Sequence, residues 1–588
     1  MIGSATFGNV MLQPAMAYPA RSQKKRRITQ VDGQGKTALD RTRGRLVFCL
    51  FTVAALYTIL CGRLVDLAIS GIDGSNKALL RASAPAELIL ERSDIVDRNG
   101  ILLASNLTTQ SLFANPKIMI DRNEAARKLA RLFPDLPEKA LREKFSSGKS
   151  FIWLKRNLTP KEQMAVNNLG IPGLNFRSEE RRIYPQGDLF AHILGYVGTD
   201  GHGLSGLEKT YDDQMLSNTS GKPLMLSVDT RVQNVLRTQL LHTVKQFSAI
   251  GAAGIVMDVN TGEILGLASL PDFNPNRFSK GDENDMFNRA LSGVYEMGST
   301  MKTITMAMAL DSGRVHLSDS YDATNAIKIG RFTIDDFHAK HRVLSVPEVF
   351  MYSSNIGTAK MALDVGTEGQ QKFFKKAGLL KPITLEVPER PAPLFPAKWT
   401  KVSTMTIAFG HGIAISPLHL ISTISGLANG GLLHQPTLIK HDAPMDSTRL
   451  IKERTSDSVR RLMRLVVTNG SGKNANVPGY LVGGKTGTAE KLGGGVYHKD
   501  ARMSSFIGVF PMQQPKYAVL IMVDEPKGTK ETGGYATGGI VAAPAVGRVI
   551  QQIAPVLGVR PVDENAPEIR EAMHINYEMK EPKLASAQ

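Results

Sequence analysis

Three short groups of residues, met in chain order, carry the side chains that an acyl transfer needs. Ser299-Thr300-Met301-Lys302 is a Ser-x-x-Lys, a spacing that sets a hydroxyl and an amine one turn apart on the same helix face. Serine is a weak nucleophile and needs a base. Lys302 can serve once desolvation lowers its affinity for the proton, and a serine at a helix N-terminus gains from the positive end of the dipole as negative charge develops. Gly298, just before it, would let a substrate approach the backbone. Ser353-Ser354-Asn355 adds a hydroxyl and an amide that can relay a proton and hold a peptide carbonyl. Lys485-Thr486-Gly487-Thr488 reads as a strand offering a cation and hydroxyls to a terminal carboxylate, its glycine leaving room for a substrate along the strand edge.

The first spacing alone is weak, because Ser22 to Lys25 and Ser146 to Lys149 repeat it. Ser22 belongs to a run of basic residues and Ser146 to a polar Ser-Ser-Gly-Lys-Ser loop; only Ser299 opens an apolar helix, expected over Thr300 to Leu310. Each group has an ordinary alternative as a helix cap, a turn or a glycine turn, and it is the three in order that carry weight.

The scaffold for these groups is large. At 588 residues the chain exceeds one hydrophobic core, which stops growing near roughly 250 to 300 residues, so two or more domains are expected. Apolar residues at 42% and charged residues at 21% exclude a wholly disordered or polytopic chain. The net charge of +17 is uneven: nine cations (Arg21, Lys24, Lys25, Arg26, Arg27, Lys36, Arg41, Arg43, Arg45) against Asp32 and Asp40 put about +7 into the first 45 residues. Leu46 to Gly62 then runs 17 residues without a charge, which with Arg63 snorkelling reaches the ~20 residues of a membrane span. The cations place the arm in the cytoplasm and everything after about residue 67 outside it. Both cysteines, Cys49 and Cys61, lie inside the run, so the exported part forms no disulfide; no zinc-type ligand spacing appears, and no metal or cofactor is expected.

From Ile72 to about Val228 short apolar runs mix with many charges, including a helix-like stretch from Asn123 to Lys144, as in an elongated module of modest core. From about Gly251 small apolar residues dominate. Ala252 to Val259 and Glu263 to Ser269 read as a hairpin across Asn260-Thr261-Gly262; Ser504 to Phe510 and Tyr517 to Val523 read as a second pair. Pro544 to Ala554 has helical spacing with proline in the first turn, and from Pro561 the chain reads as a loose polar tail.

With its triple of Ser-x-x-Lys, Ser-Ser-Asn and Lys-Thr-Gly, the chain resembles the class B penicillin-binding proteins. Phe287-Asn288-Arg289-Ala290 and Tyr295 to Lys302 are similar to the family's approach to its serine, with Met297 and Met301 where proline and phenylalanine are commoner. Arg92 to Gly100, Arg182-Ile183-Tyr184-Pro185, Ala191-His192, Gly195 to Gly198 and Gly206 to Lys209 resemble the class B pedestal, with Ser93 in place of its usual glycine. The resemblance implies an α+β multidomain fold: a basic arm (1–45), a single N-terminal transmembrane helix (46–66), an elongated α/β pedestal (67–228), a serine β-lactamase-like transpeptidase domain with an antiparallel sheet flanked by helices (229–558), and the polar tail (559–588). Ser353 to Gly357, the Asp200 to Glu208 segment and Val523-Asp524-Glu525-Pro526 look more like the septal, division-specific branch than the elongation branch.

The family mechanism, carried onto these positions, has Ser299 attack the penultimate D-alanine carbonyl of a peptidoglycan stem peptide while Lys302 takes its proton. The backbone N–H groups of Ser299 and Thr488 form the oxyanion hole by analogy, Ser353 passes a proton to the leaving amine, and Asn355 orients the substrate amide. Lys485, Thr486 and Thr488 hold the carboxylate beside Gly487. β-Lactams acylate the same serine. Arg92, Asp97, Arg98 and Glu208 resemble pedestal charges that pair to brace the hinge, and implied partners are a polytopic septal glycosyltransferase and small single-span division proteins; solvated surface charge is the plainer alternative. A membrane-anchored β-lactamase or β-lactam sensor is the first rival, but Glu386 to Arg390 lacks the Glu-x-x-Leu-Asn pattern of class A deacylation. A non-catalytic division scaffold is the second, opposed by three intact motifs. A nucleic-acid binder is excluded by export.

Overall fold

The computed structural model describes residues 48–65, 92–217, 221–277, 283–330, 332–443, 445–493 and 496–577. The basic arm, with Ser22, and the last eleven residues lie outside them. The chain divides into two units, Met1–Ile89 and Leu90–Gln588.

In the first unit Phe48–Val65 is an 18-residue helix of mean hydropathy 1.9, with none of its residues buried. At 1.5 Å per residue it is about 27 Å long, close to the ~30 Å of a bilayer's hydrocarbon. The hydroxyls of Thr52 and Thr58 donate to the carbonyls of Phe48 and Ala54, both at 2.7 Å, so these two threonines bring no unsatisfied hydroxyl into an apolar medium.

The second unit begins with a pedestal sheet. Its long strand Leu102–Ala114 pairs antiparallel with Ile95–Val96, Ile152–Leu158 and Leu174–Ile183, and Ile95–Val96 pairs parallel with Leu224–Met225. The helix-like stretch from Asn123 to Lys144 is two helices, Arg122–Leu132 and Glu138–Ser146. Pro134 and Pro137 force the break, since proline clashes with a preceding helical turn and offers no N–H. Their apolar faces (Ala125, Ala126, Leu129, Leu141, Phe145) close over Leu112, Ala114 and Leu154 in a small separate core.

The catalytic scaffold is a five-stranded antiparallel sheet in the order Gly483–Gly493, Val496–Phe510, Tyr517–Asp524, Gly251–Asp258, Ile264–Leu270. Three of its strands, Gly251–Asp258, Ile264–Leu270 and Tyr517–Asp524, read as nearly unbroken apolar runs because both faces are covered, and the period of two divides their residues between two cores. Ala252, Val256, Val519, Ile521 and Val523 meet helices Thr230–Gln246 and Ala542–Val556 on one side. Ala253, Ile255, Met257, Leu520 and Met522 meet the larger core, which includes helices Met301–Ser312, Pro417–Ala428 and Glu453–Thr468. Both expected hairpins are present.

The end of the chain is not loose through Tyr577. A short helix, Pro567–Met573, follows Leu557, and Ile569, Met573 and Ile575 pack against the large core. Glu564 accepts from Arg464 and from the Gly479 N–H, each at 2.7 Å, and the Tyr577 carbonyl accepts from Ser345 Oγ at 2.7 Å. The apolar residues that anchor this segment are too widely spaced among polar ones to stand out in sequence.

Candidate active site

Ser299 lies in a single 3-10 turn, Gly298–Thr300, leading into helix Met301–Ser312, so it stands just outside the helix rather than within its first turn. The turn is pressed against the edge strand that carries Lys485 to Thr488. A Cβ on Gly298 (φ +52°) would stand 2.8 Å from the Thr488 carbonyl oxygen, and one on Gly410 (φ +90°) 2.1 Å from the Gly298 carbonyl. Gly298 is therefore required by the strand behind it, not by a substrate in front. Met297 and Met301 are fully buried, so those two departures from the family pattern are packing choices.

Lys302, one turn on, is buried, and its ammonium donates to the Ser353 carbonyl (2.5 Å), Ser353 Oγ (3.1 Å) and Asn355 Oδ1 (2.7 Å). Burial, reinforced by the charge of Lys485, pushes its pKa well below the usual lysine range, while Asp336 opposes the shift. Ser353 sits between helices Val346–Met351 and Asn355–Val365 with φ +60°, a left-handed conformation that costs a non-glycine residue roughly 1–2 kcal/mol. The strain turns both its carbonyl and its hydroxyl to Lys302. Lys485 reaches the same hydroxyl from the strand, its Nζ 3.0 Å from Ser353 Oγ, and burial pushes its pKa down to about 7. Thr486 Oγ1 shares a 2.7 Å hydrogen bond with Ser471 Oγ, and Thr488 Oγ1 accepts from the Gly538 N–H at 3.0 Å. A Cβ on Gly487 would lie 2.4 Å from Ser505 Oγ and 2.9 Å from the Met297 carbonyl, so only glycine lets the strand run this close to the turn that holds Ser299.

Two buried amines thus flank one hydroxyl, and Lys302 as an ammonium would use all three of its protons on these acceptors. Once deprotonated it can instead accept from Ser353, which continues to accept from Lys485, giving a proton path between the amines through that hydroxyl.

The sequence did not single out Asp336. Its carboxylate accepts from the N–H groups of Asn355 (2.5 Å) and Ile356 (3.0 Å) and from Ser354 Oγ (2.7 Å), capping the helix that presents Asn355. Asn355 Nδ2 donates to the Asp335 carbonyl at 2.8 Å, which leaves its Oδ1 aimed at Lys302. Ser471 and Glu296, which accepts from the Gly412 N–H at 2.7 Å, were also missed. These residues come from loops, where no periodicity marks them. Beside the strand a largely apolar cavity of about 480 Å³ runs between Glu296, Tyr295 and Phe395 on one side and Ala489, Glu490 and Met503 on the other, room for an extended peptide.

The pedestal charges are brought together in two places. Arg92 donates from Nε to Glu208 (2.6 Å) and from Nη1 to Asp212 (2.5 Å), and Arg182 donates to the other oxygen of Glu208 (2.7 Å). Asp97 accepts from the N–H groups of Asn99 and Ile101 with one oxygen, and with the other from the N–H (3.0 Å) and hydroxyl (2.8 Å) of Thr230, the first residue of a helix on the large sheet. Arg98 reaches the Ser227 carbonyl (3.2 Å) and Glu263 (3.3 Å). Asp97 and Glu208 are wholly inaccessible to solvent, so neither is a solvated surface charge.

The profile of the penicillin binding protein transpeptidase domain matches residues 252–551, and that of the penicillin-binding protein dimerisation domain matches residues 90–241. A probable peptidoglycan D,D-transpeptidase FtsI of Caulobacter vibrioides is 42% identical over 482 residues, 80% of this chain and 82% of that protein. A probable peptidoglycan D,D-transpeptidase PenA of Neisseria gonorrhoeae is 32% identical over 92% of this chain and 97% of its own length. The crystal structure of penicillin-binding protein 3 from Mycobacterium tuberculosis complexed with ampicillin superposes with a TM-score of 0.65 at 23% identity, covering 82% of this chain and 98% of that one.

Proposed function

This chain belongs to the penicillin-binding proteins, in the class B division-specific branch, and is a peptidoglycan D,D-transpeptidase; from that premise we propose that Ser299 is its nucleophile and that Lys302, Ser353 and Lys485 form one proton-handling unit around it. The observation that carries this reading is the approach of two buried ammonium groups to Ser353 Oγ beside the turn that holds Ser299. A lysine that loses its proton readily can take one from Ser299 as it attacks the penultimate D-alanine carbonyl of a stem peptide. The backbone N–H groups of Ser299 and Thr488 stabilise the oxyanion. Ser353 returns the proton to the leaving D-alanine, whose carboxylate on the uncleaved donor is held by Lys485, Thr486 and Thr488 along the edge strand, with Asn355 orienting the peptide. An amine of a neighbouring stem then resolves the acyl-enzyme, and the crosslink forms at the division septum. β-Lactams acylate Ser299 in place of the donor.

The Phe48–Val65 helix anchors the chain once in the inner membrane, with the basic arm inside and the pedestal and catalytic domains in the periplasm. The pedestal braces the catalytic domain through Asp97, Arg98 and the Arg92–Glu208 cluster, and docks a polytopic septal glycosyltransferase and small single-span division proteins. The decisive experiment labels membranes with a fluorescent penicillin and locates the adduct by mass spectrometry: it is expected on Ser299, and an adduct on any other residue overturns the assignment.

A further inference from the structure

Just past Thr488 the edge strand loses its support. Its ladder is regular from Gly483 opposite Val509 to Glu490 opposite Arg502 and then breaks, Lys491 facing His498 where an unbroken register would place Ala501. Among the described residues no strand pairs with its other side, against which the turn that holds Ser299 lies. A strand paired on one side only, with an irregularity at this point, needs something else to keep it from twisting away.

The side chain at the break supplies it. Lys491 Nζ reaches past the neighbouring strand to the end of the third, where it donates to Asp524 Oδ1 and to Glu525 Oε1, each at 2.9 Å. Ala489, Met503 and Asp524 stand in one row across these strands, next to the row of Thr488, so the tie lies beside the last regular pairs. Asp524 is itself anchored: it is 5% exposed, and its second oxygen lies 3.7 Å from Nε of the equally buried Arg289. Arg289 in turn donates from Nη2 to Asn284 Oδ1 at 2.8 Å and from its N–H to Ser269 Oγ at 2.9 Å. A Cβ on Gly251 would stand 2.5 Å from Arg289 Nε, so the guanidinium packs directly on the sheet. Glu525 takes a left-handed backbone (φ +51°), strained for a residue with a side chain, and its carboxylate meets the same ammonium. Burial opposes the charge of Lys491, but its bonds to Glu525 and Asp524 outweigh that and raise its pKa, whereas Lys302 and Lys485 are both lowered.

We propose that Lys491 is a positioning residue for acyl transfer: clamped by Asp524 and Glu525, it holds the end of the edge strand so that the Thr488 N–H stays in place over Ser299. This rests on the reading of Ser299 and Thr488 given above. The ammonium is turned to the two carboxylates, so Lys491 acts through the strand and not on the reacting atoms. A displacement of about 1 Å in a group that must meet the transition state costs on the order of a hundredfold in rate, which makes a distant tie matter.

The test follows penicillin acylation of the full chain in neutral detergent over a range of penicillin concentrations, which separates the limiting acylation rate from the dissociation constant of the complex formed before it, and records each variant's melting temperature. Lys491→Met, which keeps the stem and removes the charge, is expected to lower the limiting rate about tenfold or more at a temperature where it is folded. Lys491→Arg should restore most of that rate. Glu525→Gln should lower it by a smaller factor and add nothing in the Lys491→Met background, because the two residues act as one tie. Lys128→Met, which breaks an exposed pair with Glu124 on a pedestal helix, should acylate as the parent does. A lowered melting temperature with a parent-like limiting rate in Lys491→Met makes the tie purely structural and overturns the proposal. If Lys491→Met does not fold, a parent-like rate in Glu525→Gln overturns it on the same ground. With the parent's adduct on Ser299, such a result rejects the clamp alone; an adduct on another residue rejects the assignment of Ser299 and the clamp together.

Discussion

Lys302 and Lys485 converge on one oxygen: their ammonium nitrogens lie 3.1 and 3.0 Å from Oγ of Ser353, one reaching it from a helix and the other from the edge strand. Neither has a carboxylate within hydrogen-bonding reach, and both are buried, so each favours the loss of a proton. Only one of them is needed neutral.

This sets the pH dependence of acylation. Lys302 must be neutral to act as a base, so the rate rises with pH through its depressed pKa. Lys485 must be charged to hold a carboxylate, and its charge is lost as pH rises through about 7. The second-order rate constant for penicillin acylation, which reports the free enzyme, is expected to be bell-shaped. Lys485→Arg, charged throughout, should keep the acid limb and lose the alkaline one; an unchanged alkaline limb would remove Lys485 from this role.

Ser299→Ala is expected to abolish penicillin labelling, and Lys302→Ala to lower acylation on the order of a thousandfold or more, since the two act as one unit. Ser299→Ala should melt close to the parent, because a partly exposed hydroxyl contributes little, whereas Lys302→Ala should melt lower, since it empties a buried site and leaves the Ser353 carbonyl and Asn355 Oδ1 without their donor. Ser146→Ala, at the end of a pedestal helix where its hydroxyl returns to the Arg142 carbonyl, is the control for the chance spacing and should label normally.

Asp336→Ala removes the acceptor for two N–H groups and a hydroxyl at the start of helix Asn355–Val365. A loss of about 1–2 kcal/mol is expected from the cap. Acylation should fall more than stability accounts for, and Asp336→Asn should restore part of it. A variant that melts lower but acylates at the parent rate would make Asp336 purely structural.

Glu208→Ala strands Arg92 and Arg182 without their buried counter-charge, which costs about 3–5 kcal/mol, against about 0–1 kcal/mol for an exposed pair. A large drop in melting temperature is expected. If the pedestal couples to partners as proposed, Asp97→Asn, which keeps the shape of its loop, should leave Ser299 acylation near normal while impairing septal crosslinking in cells. Normal division in that variant would reduce the pedestal to a spacer.

A reporter fused after Val228 is expected to be active only in the periplasm; cytoplasmic activity there would overturn both the topology and the site of action.

The sequence by itself determined what neighbouring residues decide. Ser299 and Lys302 stay close because they stand only three positions apart, across the 3-10 turn that leads into the helix, and the strands at Gly251–Asp258 and Tyr517–Asp524 announce themselves because two covered faces leave almost no polar position in the run. The apolar stretch before Arg63 is legible for the same reason. Tertiary structure decided everything that depends on distant segments meeting. Lys485 meets Ser353 only because the edge strand lies against the helix junction, and the depression of both amines comes from burial, which spacing does not encode. Asp336 is one carboxylate among many until its loop folds over the Asn355 helix. Glu208 and Asp97 read as bracing charges by resemblance alone, with solvated surface charge as the alternative, until partners far along the chain close around them. The helix-like stretch Asn123 to Lys144 is helical but broken in two, because the steric cost of two prolines outweighs a periodic pattern, and the segment after Pro561 failed as a loose tail because Glu564 finds Arg464 across the fold. Local periodicity reports which residues share an element; the charge state of a buried group reports what the other elements bring to it.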